Sequence, residues 1–133
     1  MKARALLLTL PLIFSSVAMA DEAADTEAAK NLRAYQYIAM AGAFAKECNA
    51  SEGAEQAAYT NNLNQAKAAT VESITTAQPS VTPKQANEEL QRLNDAVNQK
   101  AKEVIAEESC DGEMAKNMIS SYHQLAQQDF SDL

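Results

Sequence analysis

Apolar positions fall into four stretches with a helical repeat, separated by three short polar breaks. From about Ala28 to Cys48, the residues Ala34, Tyr37, Ala41, Phe44 and Cys48 recur at steps of three and four, which places them on one helix face. Ile38 and Ala45 widen that face, while Lys30, Arg33, Gln36 and Glu47 fall mainly away from its centre. Ala41, Gly42 and Ala45 are small enough to admit a neighbouring helix closely. Asn49-Ala50-Ser51-Glu52-Gly53 interrupts the run with residues whose side chains compete for nearby backbone groups. A second helix is expected from about Glu52 to Ala77, its inner stripe marked by Tyr59, Leu63, Ala66, Thr70, Ser73 or Ile74, and Ala77. That stripe is poor in large apolar side chains.

Gln78 to Pro83 is the clearest break. Thr82 suits an N-cap, Pro83 the first helical position, and Gln85 completes a Thr-x-x-Gln capping box. The third helix, to about Glu108, carries Ala86, Leu90, Leu93, Val97, Ala101 and Val104 as a near-heptad stripe. Glu88, Glu89, Arg92, Asp95, Lys102 and Glu103 lie opposite. Ser109 to Gly112 is the last break, with Asp111 expected as N-cap and Glu113 in the first turn, where the helix dipole favours an acid. Ala115, Met118, Tyr122 and Leu125 then form a fourth inner stripe, with Met114 and Ile119 beside them. Residues 127–133 are polar and read as a loose end, and 21–27 (Asp-Glu-Ala-Ala-Asp-Thr-Glu) as a flexible acidic start. No strand competes: Val71 to Thr76 is rich in β-branched residues but continues a helical stripe without a turn.

The first twenty residues change the picture. Lys2 and Arg4 precede an apolar run from Ala5 to Phe14, and Ala18-Met19-Ala20 follows. This is the pattern of a secretory signal peptide, with cleavage expected after Ala20. The run is too short to span a bilayer, which takes ~20 apolar residues, and nothing else in the chain reads as an integral membrane segment. The domain plan is therefore a signal peptide over 1–20, a flexible acidic segment over 21–27 and a helical bundle over 28–133, and the expected localisation is periplasmic or secreted. The 133 residues leave no room for a second sizeable domain.

Charge and cysteine count sharpen this. The net charge is −7, and without Lys2 and Arg4 the basic residues fall from 11 to 9 against 18 acids, a net −9. Such a surface repels a polyanion, so nucleic acid is not an expected partner. In residues 21–133, Leu, Ile, Val and Phe number 16, and 23 residues are alanine, so the core must be thin. Export would place Cys48 and Cys110 in an oxidising compartment, where a disulfide is expected; no CxxC supports a metal site or a redox couple instead. Four helices with short connections favour an up-down-up-down bundle. In that topology the loops after the first and third helices share one end, and each holds one of the two cysteines. The expectation is an all-α four-helix bundle with a Cys48–Cys110 disulfide joining the two loops at one end.

Catalytic and cofactor chemistry find little footing. The one histidine is His123, and no nucleophile motif such as GxSxG accompanies it. A di-iron bundle needs Glu-x-x-His on two helices, whereas Ser120 precedes His123 by three. A Met–His haem would draw on Met40 and His123, with Met40 on the wrong side of its stripe. Glu107, Glu108, Asp111 and Glu113 lack the spacing and glycine of an EF-hand and read as a solvated junction. Met114, Met118 and Tyr122 read as core filling rather than an adaptable binding surface. Asn49-Ala50-Ser51 fits a glycosylation sequon by coincidence in a bacterial-looking chain. No enzyme activity, cofactor or metal is expected.

The run Ala41–Ser51, AGAFAKECNAS, places Lys-x-Cys-Asn at the end of a helix, and Cys110 precedes the last helix. In this the chain resembles the all-helical pilotins of type II secretion, small periplasmic four-helix proteins with such a disulfide. Those proteins bind a helical segment of the outer-membrane secretin and escort it. They are lipoproteins, whereas this leader has no lipidation cysteine, so the resemblance implies the architecture and a helix-binding groove. The function expected is that of an exported, non-enzymatic binding or adaptor protein that packs a partner's helix in a groove. An immunity or inhibitor protein against a toxin, or a small-ligand or metal carrier, are the alternatives.

Overall fold

Three polar breaks turn the chain back on itself, and four helices result. A computed structural model describes residues 22–128; the expected leader over 1–20 and the end of the polar tail, 129–133, lie outside them. The helices are α1 (Glu22–Glu47), α2 (Gly53–Ala77), α3 (Pro83–Glu108) and α4 (Glu113–Gln127). They form an all-α up-down-up-down bundle. α1 packs on all three others, α2 packs on α1 and α4 and more lightly on α3, and α3 and α4 lie across from one another with little direct contact.

Two helix starts differ from expectation. α1 begins at Glu22, six residues before the expected start near Ala28. Alanine and glutamate are good helix formers, and acids suit the first turn. The N-cap of α4 is Gly112, not Asp111, and carries no side-chain cap. α3 ends on Ser109 at φ 64°, whose Oγ accepts from the Asp111 backbone N–H at 3.2 Å while its carbonyl accepts from Gly112 N–H. That turn uses up Asp111 and moves the cap one residue on. By contrast the start of α3 follows expectation: Gln85 N–H donates to Thr82 Oγ1 at 3.1 Å and Thr82 N–H donates to Gln85 Oε1 at 2.9 Å, with Pro83 at the first position.

α1 ends on Asn49 at φ 54°. Ala50 N–H reaches back to the Ala45 carbonyl at 2.7 Å and Asn49 N–H to that of Lys46 at 3.2 Å, the double closure that stops a helix on a left-handed residue. The stop sets Cys48 at the bottom end of the bundle. Cys110 lies in the 109–112 loop at the same end, and the two are joined with their Cα atoms 5.8 Å apart.

The core follows the stripes. All six residues expected on α3 (Ala86, Leu90, Leu93, Val97, Ala101 and Val104) are buried. On α2, Tyr59, Ala66, Thr70, Ile74 and Ala77 are buried as expected, Leu63 is half-buried, and Asn62 joins them. Ala115, Tyr122, Leu125 and Ala126 are buried on α4, with Met118 half-buried. α1 is covered on more of its circumference than one stripe, because three neighbours surround it: Tyr35, Ile38, Ala39, Ala41, Ala43, Phe44 and Ala45 are all buried. Of its expected stripe Cys48 is half-buried, Ala34 is exposed and Tyr37 is 49% exposed.

Candidate functional site

The exposure of Ala34 has a simple cause. Ala34 stands two turns from Ala41 and on nearly the same face, since seven residues fall within ~20° of two full turns. Ala41 is fully buried and Ala34 is open. The difference is the length of the neighbour. α4 has 15 residues against 25 or 26 in the other helices, and so is about 15 Å shorter at 1.5 Å per residue. It covers the seam between α1 and α2 at the bottom end and stops below the top.

Where α4 stops, a pocket of about 200 Å³ opens between α1 and α2. Ala34, Tyr37, Ile38, Ala66, Ala69 and Leu125 supply its apolar wall, and Asn31 and Thr70 its remaining lining. The polar groups there are engaged with one another. Asn31 Nδ2 donates to Ser73 Oγ at 2.5 Å, and Thr70 Oγ1 lies 2.7 Å from the Ala66 carbonyl and 3.2 Å from that of Asn31. The wall that remains for a guest is apolar. A cavity of ~150 Å³ accommodates a benzene ring, whereas sites for drug-sized ligands run to ~300–1,000 Å³. The pocket thus suits one large apolar side chain. Tyr37 flanks it, its hydroxyl donating to Ser121 Oγ at 2.5 Å across to α4.

Below the pocket, α4 is held by a polar and aromatic ladder. Asn62 Nδ2 donates to the carbonyls of Leu125 at 2.7 Å and Gln128 at 2.9 Å, closing the C-terminal end of α4. Tyr59 and Tyr122 stack with ring centroids 4.7 Å apart. Tyr122 is fully buried, and its hydroxyl lies 3.0 Å from Ser51 Oγ. Tyr59 reaches over α1 at Gly42, where its hydroxyl donates to the Ile38 carbonyl at 2.5 Å. A Cβ on Gly42 would stand 2.0 Å from that oxygen, so a larger residue there would have to displace the Tyr59 ring. Burial pushes the Tyr59 hydroxyl well above the ordinary phenol range, with Tyr122 and Tyr35 adding to the effect and the Gly42 backbone opposing it. Burial also raises Tyr35.

The candidate groups for chemistry are placed apart from the pocket. His123 Nδ1 lies 2.7 Å from Glu55 Oε1, linking α4 to the first turn of α2. Ser51 faces Tyr122, and Met40 packs half-buried against the core. Glu107, Glu108, Asp111 and Glu113 are exposed around the last loop, and Met114 is 37% exposed. Among the described residues no group of three or more His, Cys, Asp and Glu side chains is placed to hold a metal ion, and no helix is long and apolar enough to cross a membrane. Asn49, the sequon residue, is exposed in the turn after α1.

Of the pocket, sequence reasoning had Ala34, Tyr37, Ile38, Ala66, Thr70 and Leu125 on inner stripes, but as covered core. Asn31, Asn62 and Ala69 were missed. A polar residue at the inner position of Asn62, one turn after Tyr59, was the available signal. No family model matches the chain, and neither curated proteins nor solved structures give a match, so its function is argued from this geometry.

Proposed function

We propose that the protein is an exported, non-enzymatic adaptor that binds a helix of a protein partner in the open seam between α1 and α2. One observation carries this reading: the apolar stripe of α1 is incompletely covered near the end of α4, leaving Ala34 and Tyr37 exposed at a pocket sized for one side chain. An amphipathic helix lays anchors at i, i+3 and i+4 into such a groove. α4 already shows how the seam receives a helix, and a partner would extend the line of α4 toward the top. The leader pattern over 1–20 supports export to the periplasm or beyond. The resemblance to pilotins, whose work is to hold a partner's helix, points the same way.

Photo-crosslinking in the exporting cell tests this. A benzoylphenylalanine at Tyr37 should capture a discrete partner, and Ala69→Arg, which places a charge in the pocket, should abolish that product without unfolding the bundle. An equal product from the Ala69→Arg variant, or capture at Tyr37 no different from capture at Glu88 on α3, would overturn the reading. Native mass spectrometry separates the small-ligand alternative, which requires a co-purified mass.

A further inference from the structure

α4 shows how the seam treats the two flanks of a helix lying in it. Tyr122 points into the core and is fully buried. The residue before it, Ser121, accepts the hydroxyl of Tyr37 on α1, and the residue after it, His123, meets Glu55 on α2 at 2.7 Å. Neighbouring residues stand about 100° apart around a helix. In a helix that runs in the direction of α4, the residue before the buried anchor therefore turns to α1 and the residue after it turns to α2.

Around the pocket the two edges of the seam differ in charge. Lys30 and Arg33 precede Ala34 and Tyr37 by four residues each, and so stand on the same open side of α1, one turn higher. Both are exposed, and neither has an ion-pair partner among the described residues. Their aliphatic stems extend the apolar wall while their charged ends border it. The other edge is acidic. Glu72 is exposed on α2 three residues past Ala69, and Glu27 is exposed one turn above Asn31, on the side of α1 that bonds to α2. In a chain of net charge −7, bases thus gather along one edge of the seam and acids along the other.

We propose that the partner helix carries an acidic residue immediately before its apolar anchor and a basic residue immediately after it, so that the acid meets Lys30 and Arg33 and the base meets the α2 edge. This rests on the adaptor reading and adds the charge order of the partner, which fixes its direction in the seam. Charges at the rim of an interface set register and partner choice more than raw affinity. Two short helical peptides of identical composition test it, one with Glu-Phe-Lys and the other with Lys-Phe-Glu at the centre of the same alanine-rich sequence. Residues two apart do not face each other on a helix, so the swap leaves the peptide's own helix unaltered. Equal net charge gives both peptides the same long-range interaction with the acidic chain. Alanine-methyl NMR of the disulfide-bonded protein reads their binding at Ala34 and Ala69. The Glu-Phe-Lys peptide should bind severalfold more tightly. Lys30→Gln combined with Arg33→Gln should remove most of that preference, and so should about 1 M salt, where the screening length falls to ~3 Å. Equal affinities, tighter binding of Lys-Phe-Glu, or a preference untouched by the double variant would each overturn the charge order and leave a helix-binding seam standing. Peptides that move neither methyl would remove the adaptor reading together with it.

Discussion

The bottom and top of the bundle present the same face of α1 to different surroundings. At the bottom, Ala41 and Phe44 lie fully buried beneath α4. Toward the top, Ala34 and Tyr37 continue that stripe but stay exposed, Tyr37 touching α4 only through its hydroxyl bond to Ser121. The residue types barely differ, and Ala34 and Ala41 are the same residue. Burial here is set by where a neighbour stops, not by the stripe itself. The two ends also differ in how they are fastened. The bottom has the disulfide and the Tyr59–Tyr122 stack, and the Asn62 clamp sits where α4 ends. The top has side-chain bonds of Asn31, Ser73 and Thr70 between α1 and α2. Stability is concentrated at one end, and the free surface at the other.

Removing the disulfide should erase this contrast most strongly. Closing a loop of 62 residues restricts the unfolded chain by about 4 kcal/mol. At several degrees per kcal/mol, Cys48→Ser should lower the melting temperature by on the order of 20 °C. Calorimetry of oxidised and reduced samples checks this, and equal melting would show that the bottom end does not depend on its covalent tie. Next in size is Gly42→Ala. It gains up to ~1 kcal/mol of helix propensity, but the new Cβ forces the Tyr59 ring off α1 and breaks its bond to Ile38. A net loss of about 2 kcal/mol is expected, at the scale of core overpacking, and is read as a lower urea midpoint. A midpoint at or above wild type would mean that Tyr59 can be re-seated at no cost. The smallest effect sharpens the comparison most. Ala41→Ser buries a hydroxyl and should cost about 1–2 kcal/mol, whereas Ala34→Ser should stay within ~0.5 kcal/mol. Equal losses at both positions would contradict the open seam.

Much of this fold could be read from the chain. α3 was legible in full because its stripe is regular, its residues are large, and Thr82, Pro83 and Gln85 announce its start. The disulfide followed from topology and export together, two arguments that do not depend on each other. α1 was legible in phase but not in environment: nothing in its own residues says that a helix ninety positions later is about three turns shorter than the rest. The acidic start of α1 was missed because it has no apolar stripe, although its composition favours helix. Asp111 was misplaced because the cap depends on the φ of Ser109, which the residue type does not reveal. Asn62 was passed over because a polar residue on a weak stripe looks like surface. The pocket itself depends on the register between two helices and the length of a third, which no single segment encodes.

The bond between Cys48 and Cys110 also determines how the molecule would bear a load. Tension applied at the chain's two ends would run through α1, across the sulfur bridge and into α4. The α2–α3 hairpin hangs from that line as a closed loop and carries none of it. A mechanical pull could straighten the two outer helices and still leave the hairpin shielded. Only reduction of the bridge would release the slack of its 62 residue steps, on the order of 210 Å of hidden length at about 3.4 Å each.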